Sequence, residues 1–392
     1  MISFDFETHP FKPGMVLPRA VCCAFDGPSG EVLRIGSDML DELERALRGP
    51  HDLCAHHAAF DLGVLAAERP DLLRAIMDAY DANRVRCTLI RQHLLDIAVG
   101  EHDFRWSESA GKRLPADRTL AALAQLHLGI TVDKANTPRL LYGNLDGVPL
   151  DRWTPEEIEY PLKDARVPRP LFEAQRARAS ELRALPELEG TWESEDGEIP
   201  DEGPQARAAF ALQLMSSWGM RTDPVAVAEL RAWYDAELIR VREALVPTGI
   251  MRPDGTRDMK VLQARVVEAY AALGKLAPMT DPSSKFPEGQ VKCGADELIA
   301  SGDADLELLG EALSDLSTTN SWLPHLELAT KHPLCVSYNS IVDSGRTSAR
   351  KPNIQNPPRK GPIRACFIPR KAVYKEVDVP DNYVLKPGED YV

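Results

Sequence analysis

Phe4-Asp5-Phe6-Glu7 alternates two aromatic rings with two carboxylates inside Ile2–Thr8, a run with strand-like composition. Side chains on a strand alternate between faces, so the two rings would share one face and Asp5 and Glu7 the other. Two like charges side by side are destabilising unless something positive holds them. A divalent cation would do so; a solvent-facing acidic edge is the alternative. Two other places add carboxylates. Asp61 follows His56-His57-Ala58-Ala59-Phe60 at an expected strand-to-helix junction, and Tyr160 and Asp164 lie four apart in Glu159-Tyr160-Pro161-Leu162-Lys163-Asp164. On a helix that spacing puts both on one face.

The pattern around these residues is α/β. Ile2–Thr8, Arg19–Phe25 and Glu31–Gly36 read as strands, the last two joined by the turn Gly27-Pro28-Ser29-Gly30. Met39–Leu47 is helical, His51–Ala55 a short buried strand, and Ala58–Glu68 and Leu120–Leu128 helical by their apolar spacing. Thr154-Pro155-Glu156-Glu157 combines an N-cap, a first-turn proline and a glutamate three residues on. A mixed sheet is expected. Eight acidic and no basic residues fall between Glu187 and Glu202, which reads as an exposed linker closed by Gly203-Pro204. Helical periodicity then covers Gln205–Trp218, Pro224–Leu245, Met259–Leu273 and Leu306–Leu316, and is lost from His332 onward.

Asp-x-Glu, then Phe-Asp, then Tyr-x-x-x-Asp, in this order in one α/β region, resembles the 3′–5′ exonuclease domain of the DEDD superfamily, in the subclass with tyrosine in its third motif. The resemblance covers roughly residues 1–185 and implies a ribonuclease H-like fold. It implies that Asp5, Glu7, Asp61 and Asp164 bind two divalent ions, Mg²⁺ or Mn²⁺, and that Tyr160 orients the attacking water. Two such ions about 4 Å apart can both activate a water and stabilise the departing 3′-oxygen, and hard cations take oxygen ligands. His57 stands where that family usually has asparagine, which implies altered contact with the nucleic acid. Pro161, Pro168 and Pro170 surround the third motif. Proline inside a helix costs about 3 kcal/mol and kinks it, so this helix is expected to be bent or short, with Tyr160 the residue most open to that distortion.

Nine basic residues and no acidic one lie between Ser344 and Lys375. Within Tyr338–Arg359, the elements Gly345-Arg346-Thr347-Ser348 and Pro352-Asn353-Ile354-Gln355-Asn356 closely resemble the primer–template-binding segment of family A DNA polymerases, and Ile363-Arg364-Ala365-Cys366-Phe367-Ile368-Pro369 continues the likeness. Arginines give phosphate affinity independent of sequence, and asparagine, glutamine and arginine read minor-groove acceptors. The resemblance implies that Arg346, Asn353, Gln355, Asn356, Arg359 and Arg364 contact a primer–template duplex. Trp218-Gly219-Met220-Arg221-Thr222-Asp223 resembles the turn that opens that family's thumb. Pro387-Gly388-Glu389-Asp390-Tyr391-Val392 resembles the strand shortly before its first palm aspartate.

The expected organisation is therefore an exonuclease domain (1–186), an acidic linker (187–204), a mainly helical thumb (205–330) and an incomplete palm (331–392). This would be the N-terminal portion of a bacterial or phage replicative polymerase, truncated or split, in which polymerisation needs a second polypeptide supplying palm and fingers. Duplex DNA and a single-stranded 3′ end are the expected partners. The alternatives are an RNA-trimming exonuclease of the same superfamily and a non-catalytic DNA-binding module.

Composition fits this reading once its layout is considered. The net charge of −14 argues against binding nucleic acid by bulk charge, but the bases are concentrated in one segment. The seven cysteines (22, 23, 54, 87, 293, 335 and 366) include no C-x-x-C pair, so no zinc ribbon or disulfide framework is expected. Cys22 and Cys23 should be buried thiols on opposite faces of a strand. The uncharged stretches fall well short of the about 20 apolar residues that span a bilayer. The N-terminus has neither a basic nor an apolar leader region. No membrane association and a bacterial or phage-infected host cytoplasm are expected.

Overall fold

The computed structural model describes residues 1–107, 111–132, 141–188, 192, 194–195, 197–342, 346–358 and 362–368. It divides into two compact units: Met1–Gly219 with His332–Pro357, and Met220–Lys331 with the described residues from Pro358 onward. In the first unit β1 (Ile2–Thr8), β2 (Ala20–Gly27), β3 (Gly30–Ile35), α1 (Gly36–Arg48), β4 (Leu53–Ala55), α2 (Ala58–Glu68), α3 (Leu73–Asp81), β5 (Val85–Cys87) and α4 (Thr88–Ala98) follow in order. The hairpin β6 (Phe104–Ser107) and β7 (Lys112–Pro115) precedes α5 (Leu120–Leu128), α6 (Pro155–Arg166), α7 (Pro168–Arg183) and α8 (Glu202–Trp218).

The five-stranded sheet has the order β3-β2-β1-β4-β5, with β1 central. It is mixed, as expected: β1 pairs antiparallel with β2 and parallel with β4. Phe4, Phe6, Cys23 and Phe25 pack with Met39, Leu43, Leu62, Ile76 and Phe210 of α1, α2, α3 and α8. Val21, Cys22, Ala24 and Leu33 pack on the other face with Tyr142, Trp153 and Ala165. The adjacent thiols Cys22 and Cys23 thus serve opposite layers, as the period-two pattern requires.

The acidic stretch is not simply an exposed linker. Trp192, Ile199 and Glu202 are buried. Glu202 opens α8 and pairs with Arg91 of α4, which also donates to the Gly197 carbonyl. The Arg91 guanidinium lies 4.5 Å over the Phe172 ring of α7. Burial pushes the Glu202 carboxyl up and the Arg91 guanidinium down, even though each partner opposes the shift. Taking both charges out of water is the cost such a buried pair must offset.

In the second unit, α9 (Pro224–Leu245), α10 (Met259–Ala272), α11 (Ala295–Ile299) and α12 (Ala304–Ala329) close over Leu245, Leu262, Val266, Leu298, Leu306 and Leu309. Asp223, Asp258 and Asp303 cap α9, α10 and α12 through backbone N–H groups, each satisfying donors a helix start leaves open. A 3₁₀ turn at Pro362–Cys366 joins this unit, with Phe367 edge-on to Trp322 at 6.2 Å. Helix α12 runs to Ala329 and across Pro324, well past the expected end at Leu316, because Trp322, Leu323 and Leu326 continue its buried face. Back in the first unit, β8 (Ser337–Asn339) and β9 (Ser348–Arg350) form a short hairpin where periodicity was expected to be lost. Among the described residues no helix is long and apolar enough to cross a membrane.

Candidate active site

Asp5 and Glu7 sit on the central strand on the face covered by α6. Their neighbour two residues back, Ser3, is buried on that face and donates to the Ala165 carbonyl at 2.6 Å. This bond ties the end of α6 to β1 and so brings Asp164, one residue before Ala165, over the strand carboxylates. The result is a triad: one carboxylate oxygen from each of Asp5, Glu7 and Asp164 lies within 4.8 Å of the others. Glu7 and Asp164 are buried and Asp5 is half-buried.

Asp61 is not in the triad. It lies in the first turn of α2 and accepts from the Phe6 N–H at 3.2 Å. Burial pushes its carboxyl up to about 7, against the Phe6 N–H, which favours the charged form. Asp61 nonetheless lines the same cleft of about 1140 Å³ as Asp5, Glu7, Tyr160 and Asp164. Every carboxylate expected from the sequence therefore faces one cavity, with three converging tightly and the fourth on its wall.

The third motif shows how its prolines are accommodated. Thr154 and Glu157 form the expected capping box, with Pro155 at the first helical position. Pro161 has no N–H for the Glu157 carbonyl four residues back. The buried Tyr142 hydroxyl donates to that carbonyl instead, at 2.8 Å. Pro168 and Pro170 fall in the first turn of α7, where the N–H groups lack helical partners anyway. The helix is short, twelve residues, and its face is intact. Tyr160 hydrogen-bonds the Asp164 carboxylate. Replacing Tyr142 with phenylalanine should cost about 1–3 kcal/mol by leaving the Glu157 carbonyl unsatisfied. Pro161→Ala, which restores the missing N–H, should recover most of that loss in a urea-unfolding double-mutant cycle.

The field at the triad is negative. Burial first, then the charges of Glu7 and Asp5, push the Cys22 thiol up. Burial, then Asp164 and Glu7, push the Tyr160 hydroxyl far above its ordinary value. Three converging oxygens in such a field fit a hard divalent cation such as Mg²⁺ or Mn²⁺. Tyr160 stays protonated at neutral pH. It can donate to Asp164 while its oxygen accepts from a water.

His57, the residue in the asparagine position, lines the cleft and stacks on Phe60 (6.1 Å, 14° between planes). Phe60 in turn meets Phe11 at 5.8 Å. Sequence reasoning missed Phe11, whose only signal was a large exposed aromatic four residues after Glu7. It also missed His93 and Arg118 of the cleft wall. Burial pushes His93 down to about 3, keeping it neutral, and its Nδ1 meets His102 Nε2 at 2.9 Å.

Of the basic segment, Arg346, Asn353, Gln355 and Asn356 are exposed in the first unit and Arg364 is exposed in the second. Gln355 Nε2 donates to Thr347 Oγ1 at 2.8 Å and Arg364 Nε to the Pro358 carbonyl at 3.0 Å. Residues 335–341 with Arg350 and Lys351 border the carboxylate cleft. Arg359, Gly345 and the stretch Pro387–Val392 lie outside the described residues.

No family model and no curated protein matches the sequence. Among solved structures, the chain is similar to the POL domain of Pol1 from M. smegmatis, in complex with DNA primer–template and dNTP. The two align with a TM-score of 0.57 and 17% identity, over 94% of this chain and 55% of that chain. The chain thus spans little more than half the length of that neighbour. At this identity the likeness is one of fold: nearly the whole chain has a polymerase-like mixed α/β architecture.

Proposed function

We propose that the chain is the 3′–5′ exonuclease, thumb and first palm strands of a family A DNA polymerase, with residues 1–186 forming a ribonuclease H-like exonuclease domain. The observation that carries this reading is the convergence of Asp5, Glu7 and Asp164 in one cleft, with Tyr160 bonded to Asp164. The polymerase-like fold supports the rest. In this reading Asp5, Glu7 and Asp164 hold one divalent ion, and Asp61 on the cleft wall serves a second. The bound ions supply a water nucleophilic near neutral pH and a stabilised 3′-oxygen leaving group. The chain's own residues do the remainder. Tyr160, fixed by Asp164, accepts a hydrogen bond from the attacking water and sets its line of approach. The Phe11–Phe60–His57 cluster offers ring faces to unpaired terminal bases, a contact tolerant of sequence.

Arg346, Asn353, Gln355, Asn356, Arg359 and Arg364 are proposed to hold the duplex by phosphate and minor-groove contacts.

Tyr160→Phe should lower the rate of 3′ hydrolysis on the order of 10²-fold through lost orientation of the water, while KM for DNA changes little. Single-turnover assays on labelled single-stranded DNA and RNA check this. Faster trimming of RNA than of DNA would move the reading to an RNA-processing exonuclease.

A further inference from the structure

The β6–β7 hairpin presents a surface that neither the carboxylate cleft nor the basic segment uses. Phe104 pairs with Pro115 and Trp106 with Arg113. Directly opposed residues of an antiparallel pair share a face, so Phe104, Trp106, Arg113 and Pro115 lie together on one side. Both aromatic rings are 51% exposed, and every residue of β7 is exposed. The opposite face is the anchored one. Arg105 bonds Asp96 of α4 at 2.7 Å, and Arg118, just beyond β7, bonds the other oxygen of the same buried carboxylate at 2.7 Å. This two-point attachment holds the ribbon with its aromatic side outward.

Single exposed apolar residues are ordinary on a protein surface. Two aromatics in register on one strand face with an arginine opposite are a more particular arrangement, and in a chain of net charge −14 the basic group is against the overall trend. Flat rings beside a guanidinium are what a single-stranded nucleic acid uses: bases stack on the rings and the phosphate meets the cation. The position fits as well. Pro115 leads directly into residues 116–120, all of which line the carboxylate cleft.

We propose that the outer face of β6–β7 is a stacking platform for the single-stranded DNA segment upstream of the 3′ end held in the cleft. This rests on the exonuclease reading and adds to it the path of the strand. A strand that reaches only the cleft would not feel the platform; a longer one would.

The test uses the full chain and 5′-fluorescent oligothymidylates of about 4 and about 12 nucleotides, lengths bracketing common single-strand site sizes. Affinity is read by anisotropy in EDTA, and kcat and KM in Mg²⁺. Phe104→Ala with Trp106→Ala should weaken binding of the longer strand about tenfold or more, leaving the short strand and kcat unchanged. Trp106→Phe should retain wild-type affinity, and Arg113→Ala should flatten the salt dependence by about one phosphate contact. Equal affinity of wild type and double variant for the long strand would overturn the inference alone and leave the face to a protein partner. Equal losses on both lengths would also overturn it. Failure of the wild type to bind or degrade either strand would remove the exonuclease reading, and this proposal with it.

Discussion

Asp5→Ala is expected to lower Mg²⁺-dependent 3′ hydrolysis on the order of 10³-fold, the loss of several kcal/mol of charge stabilisation in the transition state. Asp5 is the half-buried member of a triad whose other carboxylates, Glu7 and Asp164, are buried. Removing it takes away one proposed ligand and the smallest of the carboxylate charges that raise the Cys22 and Tyr160 pKa values. Removing this charge should have the opposite effect on the fold without metal. Like charges so close repel, so Asp5→Asn should raise the unfolding midpoint in EDTA. In the wild type, Mg²⁺ at about 100 times its Kd should add about 2.7 kcal/mol of stability by linkage, and Asp5→Asn should lose most of that increment. Activity and stability thus move in opposite directions for one residue. A purely structural acidic pair would show neither the metal increment nor the trade.

Arg91→Met is expected to destabilise the first unit by about 3–5 kcal/mol, because it strands a buried carboxylate. Arg91 is fully buried, and Glu202 is 4% exposed. Their pair joins α4 to the start of α8 with Phe172 stacked beneath. Burial already raises the Glu202 pKa in the intact pair, and Arg91 is the largest influence holding it down. A raised folded-state pKa means the folded protein keeps this proton to higher pH than the unfolded chain does. Between the two pKa values the folded state binds more protons, so stability falls as pH rises. In Arg91→Met that window widens upward. The variant should therefore be more strongly destabilised above the window than below it, where Glu202 is protonated in both states. Replacing both partners with apolar residues of similar volume, Arg91→Met with Glu202→Leu, should recover most of the loss. Urea midpoints across pH measure all three effects. If the double variant were as unstable as the single one, the cost would lie in packing against Phe172 rather than in the stranded charge.

The residues of the candidate site were legible because their spacing is local. Period two on β1 separates Asp5 and Glu7 from Phe4 and Phe6, and the four-residue step on α6 joins Tyr160 to Asp164. The bounds Ile2–Thr8, Ala58–Glu68, Leu120–Leu128 and Pro224–Leu245 coincide with the observed elements; Asp223-Pro224 and Thr119 supply cap chemistry at two of those starts. What escaped was non-local. Helix α4 turns Arg91 and Gln92 inward, and α7 turns Gln175 to meet Gln92. Buried polar residues that bond to neighbouring elements erase the apolar period by which a helix is recognised. The Pro161 helix was expected to be distorted because its remedy, the Tyr142 hydroxyl, comes from outside the helix. The acidic stretch looked solvated because nothing near it in sequence marks Arg91 as the partner of Glu202.

In the proposed function, the Asp5–Glu7–Asp164 triad binds divalent cations to hydrolyse DNA from its 3′ end. A gel time course of a 5′-labelled single strand tests it most directly, run with Mg²⁺, with EDTA, and with Asp164→Asn in place of the wild type. A ladder shortening one nucleotide at a time from the 3′ end is expected, in Mg²⁺ and with the wild type only. No shortening in Mg²⁺, or shortening by Asp164→Asn at the wild-type rate, would contradict it.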